Sequence, residues 1–134
     1  MDKINFQNGV TKVNADTFNT FQNNIEKEFN IKELSITSSV IDITLSGYRI
    51  GNLCFVNIDG KGETFTESWK NYEIGKITGI TAKTMACSTF TNQNGQVCDI
   101  VIQTNTNTIQ LNYRSVKPTS KNSWIRGQLV FVCN

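Results

Sequence analysis

Residues 14–29 read Asn14-Ala15-Asp16-Thr17-Phe18-Asn19-Thr20-Phe21-Gln22-Asn23-Asn24-Ile25-Glu26-Lys27-Glu28-Phe29. Apolar groups fall at Phe18, Phe21, Ile25 and Phe29, and the steps of three and four residues between them are the period of an α-helix. The positions between are almost all Asn, Thr, Gln, Glu or Lys. The apolar stripe is therefore about one residue wide, thinner than the face a helix lays on a globular core. A thin seam suits self-association, and trimers are common where aromatic or β-branched groups fill such seams. Phe18, Phe21, Ile25 and Phe29 are the candidate oligomerisation residues.

Working outward from this helix, Asn14 is placed to cap its start and Asp16 to meet the positive end of its dipole. Val13 and Phe18 take the positions of a hydrophobic staple behind an arm at Ile4 to Lys12. Asn30 is a plausible end cap, with Lys27 and Lys32 suiting the negative end. Past residue 32 the period drops to two. Ile41-Asp42-Ile43-Thr44-Leu45 alternates, and Ser46-Gly47 reads as a turn. Tyr48 to Asp59 reads as a strand broken at Gly51-Asn52, followed by a turn at Asp59-Gly60-Lys61-Gly62. A polar loop holds Trp69 and Tyr72, and strand pattern resumes from Gly75 to Gly79.

Lys83 to Phe90 then faces Val97 to Gln103 across Asn94-Gly95, the strongest short hairpin signal a sequence offers. Thr104 to Asn107 turns, Thr108 to Tyr113 forms another strand, and Ser123 to Cys133 the last. In that last strand Ile125, Gly127, Leu129, Phe131 and Cys133 share one face and Trp124, Arg126, Gln128, Val130 and Val132 the other. Apolar groups on both faces suggest a central strand or a subunit contact. Short strands with a turn every ~10 residues point to a sandwich. The expected fold is mainly β: an N-terminal arm and oligomerisation helix over 1–33, then a β-sandwich, jelly-roll-like head over 34–134.

The chain has 134 residues, 38% of them hydrophobic and 18% charged, with a formal net charge of +2. That is one domain plus at most an appended element. Its polarity is carried by Asn, Thr, Ser and Gln, and scattered Lys and Arg leave no stripe to track phosphates, so nucleic acid is not an expected partner. No stretch has the charge and apolar pattern of a secretion signal or the length of a membrane span. Cys54, Cys87, Cys98 and Cys133 stand far apart with no C-x-x-C and no His in the chain, so no zinc site is expected; an even count of four allows two disulfides, but with no secretion signal, buried, reduced thiols are expected instead.

Without His, the Ser-His and Cys-His nucleophiles are excluded. Asp42, Asp59, Glu63, Glu67, Glu73 and Asp99 are the carboxylates of the head's first two thirds, and nothing in their spacing pairs two of them as a glycosidase requires. Asn57, Asp59 and Glu63 around Gly60 and Gly62 do not match a calcium loop, and no metal or cofactor is expected. Binding chemistry is easier to supply. Trp69, Tyr72, Tyr113, Arg114, Trp124 and Arg126 lie near predicted loops or strand ends. Aromatic faces cover the apolar faces of sugar rings while guanidinium groups hydrogen-bond hydroxyls, so these six are the candidate saccharide-binding residues.

The run Phe6-Gln7-Asn8-Gly9-Val10-Thr11-Lys12-Val13-Asn14-Ala15-Asp16-Thr17-Phe18-Asn19 resembles the opening of tail-tip and baseplate proteins of tailed phages of Gram-positive hosts, which often begin N-G-x-T-x-L-N-A-x-x-L-N. Gly51-Asn52-Leu53-Cys54-Phe55-Val56, the strands around Asn94-Gly95, and Trp124-Ile125-Arg126-Gly127-Gln128-Leu129-Val130-Phe131 are similar to head domains of phage receptor-binding proteins. The resemblance implies a homotrimer with helices on its axis and β heads that bind host cell-wall polysaccharide. It also implies a place in the virion, at the tail tip or baseplate, with assembly in the host cytoplasm and contact to other baseplate proteins through the N-terminal arm. The expected function is host recognition without catalysis. The alternatives are a structural virion component with no ligand and a small carbohydrate-active enzyme or its binding module.

Overall fold

The computed structural model describes residues 15–61, 67–114 and 124–134. The Asn14 cap, the Val13 staple, the arm at 4–12, Gly62 and Glu63 lie outside the described residues. Helix α1 spans Ala15–Phe29, with Asp16 in its first turn and Lys27 in its last. Thr20 Oγ1 donates back to the Asp16 carbonyl at 2.9 Å. Its apolar stripe is solvent-exposed: Phe18, Phe21, Ile25 and Phe29 retain 58, 53, 40 and 70% of their surface, while the buried side chain of the helix is Asn24. The hydrophobic core takes no residue from α1.

Among the described residues nine strands follow: β1 Ile31–Glu33, β2 Ile36–Ser38, β3 Ile43–Ile50, β4 Leu53–Lys61, β5 Tyr72–Ile77, β6 Ala86–Thr91, β7 Val97–Ile102, β8 Thr108–Tyr113 and β9 Trp124–Val132. They form two antiparallel sheets, β1-β3-β4-β9 and β2-β5-β8-β7-β6, stacked as the expected sandwich. Alternation drives this arrangement. Ile43, Val56, Ile58, Ile125 and Leu129 turn inward from the first sheet to meet Ile74, Ile77, Ile100, Ile109 and Leu111 of the second.

Both flanks of the sandwich are laced. On one, β1 and β2 are a single run that changes sheet at Leu34-Ser35: the Leu34 N–H donates to the Gly47 carbonyl and the Thr78 N–H to the Ser35 carbonyl, each at 2.9 Å. On the other, the Gln93 N–H donates to the Trp124 carbonyl at 3.0 Å and the Lys83 N–H to the Val132 carbonyl at 2.8 Å, tying the margins of β6 and β9. Between these ties the Phe90 ring covers Gly127, where a Cβ would stand 2.8 Å from the ring.

Four local expectations are corrected. Ser46-Gly47 is not a turn but the middle of β3, paired with Asn57 and Val56, and the turn is the two-residue link Gly51-Asn52 between Ile50 and Leu53. Gly51, at φ 57°, supplies the left-handed backbone that link requires. Gly60 and Lys61 continue β4 instead of turning, and β5 begins at Tyr72. Of the two readings of β9, a central strand or a subunit contact, the first is overturned, since β9 is the margin of its sheet.

The register gives the sandwich two unlike ends. At one, where α1 enters, lie Ile50, Leu53, Ile77, Ala86, Ile102, Thr108 and Val132. At the other lie Lys61, Tyr72, Thr91, Val97, Tyr113 and Trp124. The outer face of the first sheet is divided along the same axis. Near α1 its cross-strand rows are Ile31-Ile50-Leu53-Val132 and Glu33-Tyr48-Phe55-Val130. The Tyr48 and Phe55 rings stack at 4.9 Å. Farther out the rows turn polar: Gln128 Nε2 donates to Asn57 Oδ1 at 2.9 Å and Arg126 Nε to Asp59 Oδ1 at 3.1 Å.

Candidate recognition site

All six sequence-predicted site residues stand at the end of the sandwich remote from α1, in two groups separated by the β6–β7 hairpin. That hairpin is held by Asn92, which is buried. Its Oδ1 accepts from the Asn94 and Gln96 N–H groups at 3.0 and 2.9 Å, and its Nδ2 donates to Gln96 Oε1 at 2.7 Å. Gly95 completes the turn at φ 75°.

The first group sits on β9. Trp124 is cross-strand from Lys61 and two residues from Arg126 on the same face, and its ring attracts both cations: Lys61 Nζ is 5.4 Å and Arg126 Cζ 5.3 Å from the centroid. Trp124, Arg126, Thr91, Asn92 and Gln93 line an open cleft of about 360 Å³. The Trp124 backbone is fixed by Gln93 from both sides, through the carbonyl bond already described and a 3.4 Å bond from its N–H to Gln93 Oε1. Arg126 is paired with Asp59, whereas among the described residues Lys61 has no carboxylate partner. The cleft thus presents one aromatic face, amide and hydroxyl groups, and the Arg126 guanidinium.

The second group surrounds the end of β8. Trp69 is 69% exposed and holds a left-handed backbone at φ 61°, a conformation costing a non-glycine residue roughly 1–2 kcal/mol. Its N–H donates to the Tyr113 carbonyl at 2.7 Å, which fastens the loop to β8. Tyr72 is on a strand rather than in a loop, half-buried against the core, with its hydroxyl accepting from the Glu67 N–H at 2.9 Å and Lys70 Nζ 5.3 Å from its ring. Asn112 Nδ2 donates to Asn71 Oδ1 at 2.7 Å beside them.

Arg114 donates from Nε to Asp99 Oδ2 at 2.6 Å, and Thr89 Oγ1 donates to Asp99 Oδ1 at 2.7 Å. The Asp99 carboxylate, by hydrogen bond and charge, pushes the Arg114 pKa above its ordinary value. Asp99 is buried, so Arg114 is a structural partner as well as an exposed cation.

Tyr113 is a correction. Its side chain is fully buried among the core residues and therefore presents no ring to a surface ligand. Burial pushes its phenol up to about 12. The signal was in the strand's own parity, since Ile109, Leu111 and Tyr113 share one face. Sequence reasoning missed Lys61, Thr91 and Gln93, which reach the Trp124 cleft only because β4, β6 and β9 converge. No three of His, Cys, Asp or Glu among the described residues gather as metal ligands. No helix among them is long and apolar enough to cross a membrane. Comparison with protein-family models, curated proteins and solved structures finds no match to this chain.

Proposed function

We propose that this protein is the host-recognition component of a phage tail tip: a homotrimer that joins its neighbours through α1 and the preceding arm and engages cell-wall saccharide with the far end of its β heads. The observation that carries this reading is polarity. The exposed seam Phe18, Phe21, Ile25 and Phe29 belongs to a helix that joins the sandwich at one end, next to Ile31, and Trp69, Arg114, Trp124 and Arg126 stand at the other end. A particle that anchors at one end and adheres at the other needs this division. The similarity of residues 6–19 to tail-tip openings supplies the setting, including virion location and contact with other baseplate proteins. Each head alone would bind weakly, since a hydroxyl exchanging water for a protein partner gains only about 1 kcal/mol. Three heads on one axis raise the effective affinity by on the order of a hundredfold when their spacing matches the receptor.

The test is capture of Gram-positive cells, or of their extracted wall polysaccharide, by the tagged full-length protein. Binding to cells is the expected result. Binding only to other virion proteins would favour the structural reading, which the ion pairs of Arg114 and Arg126 support by occupying both guanidinium groups within the head. Turnover of any wall glycan would favour the enzymatic one.

A further inference from the structure

The outer face of the first sheet carries an apolar area that the saccharide site does not use. Ile31, Leu53, Val130 and Val132 keep 64, 40, 42 and 41% of their surface, beside the stacked Tyr48 and Phe55. They occupy adjoining rows of one face, and contiguous apolar patches of this kind mark interaction surfaces. We propose that these rows are the head-to-head contact of the oligomer, covered by a neighbouring copy of this chain; the inference rests on the helical seam proposed above.

Three features name a second copy as the occupant. Phe29 ends the helical stripe and Ile31 begins the sheet rows, with only Asn30 between them, so helices joined along α1 hold each head's apolar rows beside the next head. Size is the second. The four side chains of the helical seam, Phe18, Phe21, Ile25 and Phe29, at exposures of 58, 53, 40 and 70%, offer roughly 400 Å² if each brings about 200 Å², half of the ~800 Å² per partner that stable interfaces bury. The sheet rows extend the seam toward that area. Charge is the third. Exposed Glu33 lies at the β1 margin of the patch, and exposed Lys83 lies at the β9 margin, its N–H bound to the Val132 carbonyl. In a ring the β1 margin of one copy meets the β9 margin of the next, so opposite charges come together at every contact. A two-fold pairing of like margins would not achieve this.

The experiment is sedimentation velocity on the full chain across a concentration series, with circular dichroism to confirm folding. Val130→Glu is expected to raise the concentration of half-assembly at least tenfold. Glu33→Lys and Lys83→Glu are each expected to weaken assembly, and the double variant to recover it. Both charged positions are exposed, so the charge exchange reads out the contact even if Val130→Glu fails to fold. Unchanged assembly in Val130→Glu, or a double variant no better than its parents, overturns the proposal. The two readings separate cleanly. Dissociation by Phe21→Asp with Ile25→Asp, but not by the sheet variants, keeps the helical seam and removes the sheet contact. A wild-type monomer at tens of micromolar removes both.

Discussion

At the scale of single residues, the close approaches decide most. A Cβ on Gly47 would stand 2.3 Å from the Phe55 carbonyl oxygen and 3.1 Å from Leu34, so β3 and β4 cannot keep their spacing around it. Gly47→Ala should cost about 2 kcal/mol or more, read as a lower urea midpoint at unchanged slope. The sequence could suggest only a turn there, because a glycine needed for contact and one needed for φ look alike. The thiols were more legible. Cys54, Cys98 and Cys133 are buried and unpaired as their apolar neighbours implied, but Cys87 faces outward from the marginal strand β6 and is exposed. Burial pushes Cys54 and Cys98 from 9.0 up to about 12. Above pH 9 the unfolded chain therefore releases protons that the folded chain keeps. Stability from these groups is complete below that pH and is lost as pH climbs toward 12. Urea midpoints should fall from pH 9 to 10.5, and less steeply in Cys98→Val.

At the scale of elements, α1 was readable because one 3.6-residue period runs through it unbroken, and the β6–β7 hairpin because Gly95 marks its turn, although the loop closed by Asn92 and Gln96 has three residues, Gln93-Asn94-Gly95, rather than two. The sheet order was not readable. Strand β9 reads as central or as a subunit contact by its apolar groups on both faces; it lies at a margin, and the second apolar face is part of the exposed rows near the start of β1. Pattern gives the parity of a strand but not its neighbours. The helix yields a direct prediction. Phe21→Asp with Ile25→Asp should leave the head's melting temperature nearly unchanged, because neither side chain enters the core, while light scattering shows the assembly reduced to single chains.

At the scale of the whole molecule, the candidate site was half legible: five of its six predicted residues reach the surface at one end, and only the fold could add Lys61, Thr91 and Gln93. Trp124→Ala and Trp69→Ala should each weaken attachment to cells severalfold or more without changing assembly. Arg114→Ala is a poorer probe, since it removes one of the two side-chain partners of the buried Asp99 carboxylate and should itself lower stability. Attachment untouched by both tryptophan changes would move the site elsewhere. The crossing of one run between sheets at Leu34-Ser35 has a mechanical meaning. Under the proposed function, a pull between a tail held through α1 and a cell held at the far end would run along the strands. Tension entering at Ile31 passes first to β3 and then, past the crossing, to β5. The bonds of each ladder are then stretched side by side in shear, not peeled open one at a time, and both sheets share the drag of an attached particle.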